Sequence, residues 1–158
     1  MWLVRFGLIG CLVLLLLAPA AWADTDVRTV TGYRKGRPLE LKLVTIDWIE
    51  VEVTTARAFE AMRRAAAVDG IELVIRSGFR DHEKQAWLYR AWKGGWGNPA
   101  ARPGHSNHQS GRALDLVVRD RRVRSWLATN ARTFGFRRTV RREPWHWELF
   151  PTRAARRR

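Results

Sequence analysis

Pro103-Gly104-His105-Ser106-Asn107-His108-Gln109-Ser110-Gly111-Arg112-Ala113-Leu114-Asp115, followed about thirty residues later by Glu143-Pro144-Trp145-His146, is the pair of segments on which the reading of this chain turns. Two imidazoles, His108 and His146, and one carboxylate, Asp115, form the three-ligand set that leaves a fourth position on Zn²⁺ open for water. Glu143, three residues before His146, is placed to take that water's proton. Gly111 lets the backbone turn tightly between His108 and Asp115, and Pro144 stiffens the turn between Glu143 and His146. Nitrogen and oxygen donors with one open position suit zinc, one ion per chain, and such a centre hydrolyses peptide or amide bonds. Taken alone, His-x6-Asp is common by chance, and Trp145-His146-Trp147 also reads as an aromatic core edge around a satisfied histidine. Their joint presence in a chain with only four histidines makes the metal site the stronger reading.

Outward from these segments, the pattern predicts a few helices and several short strands. Thr29 to Tyr33 and Leu39 to Ile46 flank Arg34-Lys35-Gly36-Arg37-Pro38 as a hairpin with a Gly/Pro turn. Trp48 to Val53 alternates like a half-buried strand. Thr54 or Thr55 caps a helix to about Val68, with Phe59, Met62 and Ala66 on one face and Asp69-Gly70 as its stop. Ile71 to Arg76 reads as a strand, Ser77-Gly78 as a turn, and Asp81 as the start of a helix whose apolar side carries Trp87, Leu88 and Ala91. Gly94-Gly95-Trp96-Gly97-Asn98-Pro99 is a loop. Leu114 to Val118 returns to strand, Val123 to Thr133 is a helix ending at Gly135, and Trp145 to Phe150 is a last strand. Without a repeating βαβ order, the fold class is α+β.

Residues 1–23 read as a signal peptide and not as fold: Arg5 is their only charge, Leu8 to Leu17 is an apolar run, and Ala21-Trp22-Ala23 suits cleavage before Asp24. The apolar stretch is shorter than the ~20 residues of a spanning helix, so no stable membrane span is expected after cleavage. Leu8-Ile9-Gly10-Cys11 has the form of a lipoprotein site, but the apolar core runs on through Leu17, beyond Cys11. With the leader gone no cysteine remains, which excludes disulfide and thiol chemistry and points to an exported protein of the periplasm or cell envelope.

The 135 residues left suit one domain: residues 24–52 as N-terminal strands packed on a core, 53–150 as that core, and 151–158 as a basic, solvated tail. They carry 28 basic against 15 acidic residues, a net +13. Export redirects this charge away from nucleic acid and toward anionic polymers or phospholipid headgroups of the envelope.

Ser77-Gly78-Phe79-Arg80 with Gln85, the run from Pro103 to Asp115, and Glu143-Pro144-Trp145-His146 together resemble the M15 peptidases of the D-alanyl-D-alanine carboxypeptidase type, over roughly Val53 to Leu149. That family also includes the vancomycin-resistance D,D-peptidases and some phage endolysins. The resemblance implies a Hedgehog/D,D-peptidase fold, a small sheet with helices packed on it and zinc in a surface cleft. It also implies His108, Asp115 and His146 as zinc ligands, Glu143 as general base, and Arg80 stabilising an oxyanion or binding a substrate carboxylate. Ser106 and Gln85 orient substrate, support that arginine, or simply bond local backbone. His105 reads as a surface or substrate-facing residue, and His82 has no special role. Glu148 departs from the family, in which many members have an arginine, and a negative group there argues against strict recognition of a terminal carboxylate. The expected function is a secreted zinc metallopeptidase acting on peptidoglycan or muropeptide stem peptides, D-alanyl-D-alanine carboxypeptidase-like. The alternatives are an endopeptidase, or a noncatalytic wall-binding protein on the same scaffold, which the intact Glu143 disfavours.

Overall fold

A computed structural model describes residues 26–150. The leader, Cys11 and the basic tail lie outside the described residues. Among the described residues the fold is α+β, with three α-helices and two antiparallel sheets.

The first sheet is a meander of β1 (Arg28–Arg34), β2 (Arg37–Ile46) and β3 (Ile49–Glu52). Both connections are two-residue turns with positive φ at each central residue, 52° and 78° at Lys35 and Gly36, then 48° and 68° at Asp47 and Trp48. This is the turn whose twist matches paired strands. Trp48 therefore does not begin a half-buried strand, as its sequence suggests; it sits at a hairpin tip, 95 % exposed.

Helix α1 (Val53–Val68) follows directly, and its N-terminus is capped by the Glu52 carboxylate, which accepts from Thr55 N, and not by a threonine. Ala56, Phe59, Met62 and Ala66 form its single buried stripe and pack into the core with Leu73, Leu114, Leu116, Leu127 and Phe136. Burial alternates from Ile71 to Arg76, but regular pairing begins only at β4 (Ile75–Ser77), where β5 (Ala113–Leu116) supplies partners. Helix α2 (His82–Lys93) is capped by Asp81. It buries Gln85 and Ala91, while Trp87 lies 44 % exposed against Trp96 and the Lys84 ammonium, not in a core-facing stripe.

Helix α3 (Arg121–Asn130), capped by Asp120, passes into a 3₁₀ turn over Ala131–Phe134 and stops at Gly135, whose φ of 85° suits glycine. A two-residue strand that sequence did not announce, β6 (Phe136–Arg137), then pairs with β7 (His146–Leu149). The second sheet has the order β4-β5-β7-β6.

The first sheet and the start of α1 hold the polar loop before β5. Tyr33 N donates to Gln109 O at 2.8 Å, Gly36 N to Gly104 O at 2.9 Å, and Thr55 Oγ1 to Gly111 O at 2.7 Å. Gly111 has φ 70° and its Cα faces Glu52 so closely that a Cβ would stand 2.5 Å from the Glu52 Cβ, so only glycine fits there. Among the described residues, no helix is long and apolar enough to cross a membrane.

Candidate active site

The centre of the site is a strand pair. Asp115 on β5 lies directly across from His146 on β7, so backbone register alone brings a carboxylate and an imidazole together. The Asp115 Oδ1 is 3.1 Å from His146 Nδ1. His108 reaches the same oxygen from the loop, its Nε2 at 3.4 Å. All three side chains are buried, and one donor atom from each lies within 4.8 Å of the others. Ligands at ~2.0–2.2 Å from a tetrahedral zinc stand roughly 3.3–3.6 Å apart, so this donor set fits such an ion.

Each imidazole has its second nitrogen committed elsewhere, which fixes the face turned to the cluster. His108 Nδ1 is 2.8 Å from the Gly78 carbonyl, so it carries the proton and leaves Nε2 free to ligate. His146 is turned the other way, with Nε2 3.2 Å from Glu148 Oε1 and Nδ1 toward Asp115. Glu148 lines the cleft, as its sequence position suggests, but its carboxylate is engaged and not free. It is 4 % exposed, and its Oε1 also accepts from Thr139 Oγ1.

The electrostatics follow from this packing. Burial acts to raise the Asp115 pKa, but hydrogen bonds and charge from His108 and His146 outweigh it and hold the carboxyl well below the usual carboxylate range. Burial acts to lower the His146 pKa, but Asp115 and Glu148 outweigh it and raise it to about 9. Glu148 is pulled down to about 2 against its own burial, by His146, Thr139 and Asn107.

A cavity of about 410 Å³ opens over the cluster, and Arg80 and Glu143 both line it beside His108, Asp115 and His146. Glu143 is held by the turn that precedes β7, where His146 N donates to Glu143 O at 3.1 Å. Arg80 is placed by its own backbone, whose N–H donates to His108 O at 3.3 Å, and by Gln85 Oε1, which accepts from Arg80 Nη1 at 3.0 Å. Burial lowers the Arg80 pKa, and the charges of Asp115 and Glu143 partly restore it. Gln85 is fully buried and donates its Nε2 to Ala101 O at 2.7 Å, so it stands behind Arg80. Ser106 lines the cavity, yet its Oγ accepts from His108 N at 3.3 Å. His105 also lines the cavity, with its ring near Gly36, and His82 packs against Tyr33 with the rings tilted at 45° and their centroids 4.5 Å apart.

Sequence reasoning missed Arg76. Its side chain is 56 % exposed, lines the cavity, lies 5.4 Å over the Trp145 ring and approaches Asp115 Oδ2 at 4.0 Å. Alternation in β4 was the available signal, because Arg76 is the outward residue between buried Ile75 and half-buried Ser77.

The family model described as VanY, D-alanyl-D-alanine carboxypeptidase, matches residues 49–152. No curated protein matches the chain. Among solved structures it is similar to VanYB in complex with D-alanine-D-alanine, with 23 % identity and a TM-score of 0.59 over 87 % of this chain and 83 % of that one. It is also similar to a VanY D,D-pentapeptidase variant in complex with Zn(II), with 22 % identity and a TM-score of 0.58 over 87 % and 85 % of the two chains. A third is the LD-carboxypeptidase LdcB, with 23 % identity and a TM-score of 0.60 over 87 % and 74 %. At these identities the structural likeness establishes the fold.

Proposed function

Because the chain belongs to the VanY family of D-alanyl-D-alanine carboxypeptidases, we propose that it is a zinc peptidase that removes the terminal D-alanine from peptidoglycan stem peptides. The observation that carries this reading is the convergence of His108, Asp115, His146, Glu143 and Arg80 on one cavity. A zinc ion held by His108, Asp115 and His146 supplies Lewis acidity and a water of lowered pKa.

The chain's own residues do the rest. Glu143 takes the proton of the attacking water and returns it to the nitrogen of the leaving D-alanine. Arg80, held by Gln85, stabilises the carbonyl oxygen as negative charge develops on it, a task for which a fixed, forked cation is suited. Arg76 at the rim receives the terminal carboxylate of the substrate. Glu148 lines the same cavity, with its carboxylate engaged by His146 and Thr139. Ser106 keeps the His108 loop in place and borders the substrate. The apolar leader in residues 1–23 directs the enzyme to the cell envelope, where its substrate is.

Defined pentapeptide muropeptides incubated with the zinc-loaded protein test this, with products read by mass. Free alanine and a tetrapeptide product are expected. Two separated peptide fragments would make it an endopeptidase instead, and no product from protein shown to hold zinc would leave only a wall-binding role.

A further inference from the structure

A second cavity lies on the far face of β7. His146 and Glu148 turn toward the zinc-ligand cluster, and Trp147 between them turns away, as alternate residues of a strand must. Trp147, Pro144 and Ala128 form an apolar floor, and the space above it is about 440 Å³. Its walls are arginine: Arg124 from α3, Arg132 from the 3₁₀ turn, Arg137 from β6, and Arg138.

What marks these four is that they gather around one cavity without a carboxylate among its lining residues. Arg28 pairs with Glu50, and Arg63 with Asp47 and Glu60. Among the described residues no carboxylate pairs with Arg124, Arg132, Arg137 or Arg138, none lines the cavity, and residues 151–158 contain neither Asp nor Glu. Two of the four are nonetheless held in position. Arg124 Nη1 donates to the carbonyls of Val118 and Arg119 at 2.6 and 2.7 Å, and the Arg137 guanidinium lies 5.1 Å over the Phe150 ring.

Four cations around one concavity repel one another, and the concave shape concentrates their field. An anion entering the cavity offsets that repulsion, and guanidinium forks match the oxygens of a phosphate. The apolar floor adds a surface that a bare inorganic ion does not use but an organic group does. The space is large enough for a phosphate together with a small organic substituent.

We propose that this arginine-walled cavity is a second binding site, separate from the catalytic cleft, that takes an organic phosphate group. Occupancy there anchors the protein to a phosphate-bearing component and leaves the catalytic cleft open.

Calorimetric titration of the full-length protein with glycerol 3-phosphate and with inorganic phosphate, at fixed ionic strength, tests this. Wild-type protein is compared with Arg132→Gln/Arg138→Gln, which removes two walls, and with Arg57→Gln/Arg64→Gln, which removes the same charge from α1. The cavity variant is expected to bind glycerol 3-phosphate more weakly by roughly tenfold or more, while the α1 variant binds as wild type and both cut a small soluble stem peptide at the wild-type rate. Equal weakening in both variants, or no saturable binding to wild type, would overturn the site. Inorganic phosphate binding as tightly as glycerol 3-phosphate would overturn its assignment to an organic group. Loss of peptide cleavage in every protein alike would count against the proposed peptidase activity and leave this site standing.

Discussion

Replacing Glu148 should weaken metal binding, and the size of the effect should depend on pH in a way that the geometry dictates. In the structure Glu148 Oε1 is 3.2 Å from His146 Nε2, while His146 Nδ1 faces Asp115 and the ligand cluster. A carboxylate that accepts from Nε2–H keeps the imidazole in the tautomer whose Nδ1 lone pair is free, and raises its basicity. Losing such a partner costs roughly 10–100-fold in metal affinity, or about 1.4–2.7 kcal/mol. The same carboxylate also favours protonation of His146 in metal-free protein. With its pKa raised to about 9, only about one molecule in a hundred has neutral His146 at pH 7. Glu148→Gln lowers that pKa and eases the competition from the proton, so the two effects oppose each other near neutrality. Above pH 9 the proton no longer competes and the full loss is exposed. Competition with a chromophoric chelator from pH 6 to 9.5 measures this directly: the ratio of variant to wild-type zinc Kd should be smallest near pH 6 and reach about tenfold or more above pH 9. A ratio near one above pH 9 would refute the assignment of Glu148 as a support for His146.

Arg80→Lys keeps the charge but loses the fork and the hold of Gln85, and should lower kcat on a stem peptide; a rise in KM alone would reassign Arg80 to ground-state carboxylate binding. Metal-free protein should show a pH-dependent Tm with both signs. The His146 contribution, from a pKa raised to about 9, is full below about 6.5 and lost as pH rises through 9, whereas the Glu148 contribution, from a pKa lowered to about 2, is present above about 4.5 and lost as pH falls through 2. Thermal melts from pH 2 to 10 should therefore plateau between about 4.5 and 6.5, and a Tm that kept rising to pH 10 would contradict the His146 environment. Gly78→Ala should destabilise the fold by about 1–3 kcal/mol, because an added Cβ just after β4 would stand 2.3 Å from the Glu50 carbonyl oxygen of β3; an unchanged denaturant midpoint would show that this contact relaxes freely.

What could be read from sequence was local. His108, Asp115, His146 and Glu143 lie in two short segments that the structure brings to one cavity, and the Phe59, Met62 and Ala66 stripe follows from helical periodicity. What could not be read depended on distant parts of the chain. Trp48 alternates like a strand residue, but Ile46 pairs with Ile49 and leaves it at the tip of the turn. Trp87 looks apolar, yet α2 buries Gln85 instead, because its buried face holds Arg80. Glu148 reads as a repulsive charge until β7 places it beside His146 and Thr139, and Arg76 becomes a cleft residue only once β4 lies against β5.

Zinc titration of metal-stripped protein, assayed on a stem pentapeptide ending in D-alanyl-D-alanine and run beside Glu143→Gln, tests the central claim most directly. The stripped protein should be inactive and should recover to a plateau at one equivalent of zinc. Glu143→Gln should bind that equivalent yet lose a factor on the order of 10² or more in kcat. Full activity after strong chelation, or a Glu143→Gln variant as fast as wild type, would contradict a zinc peptidase with Glu143 as its base.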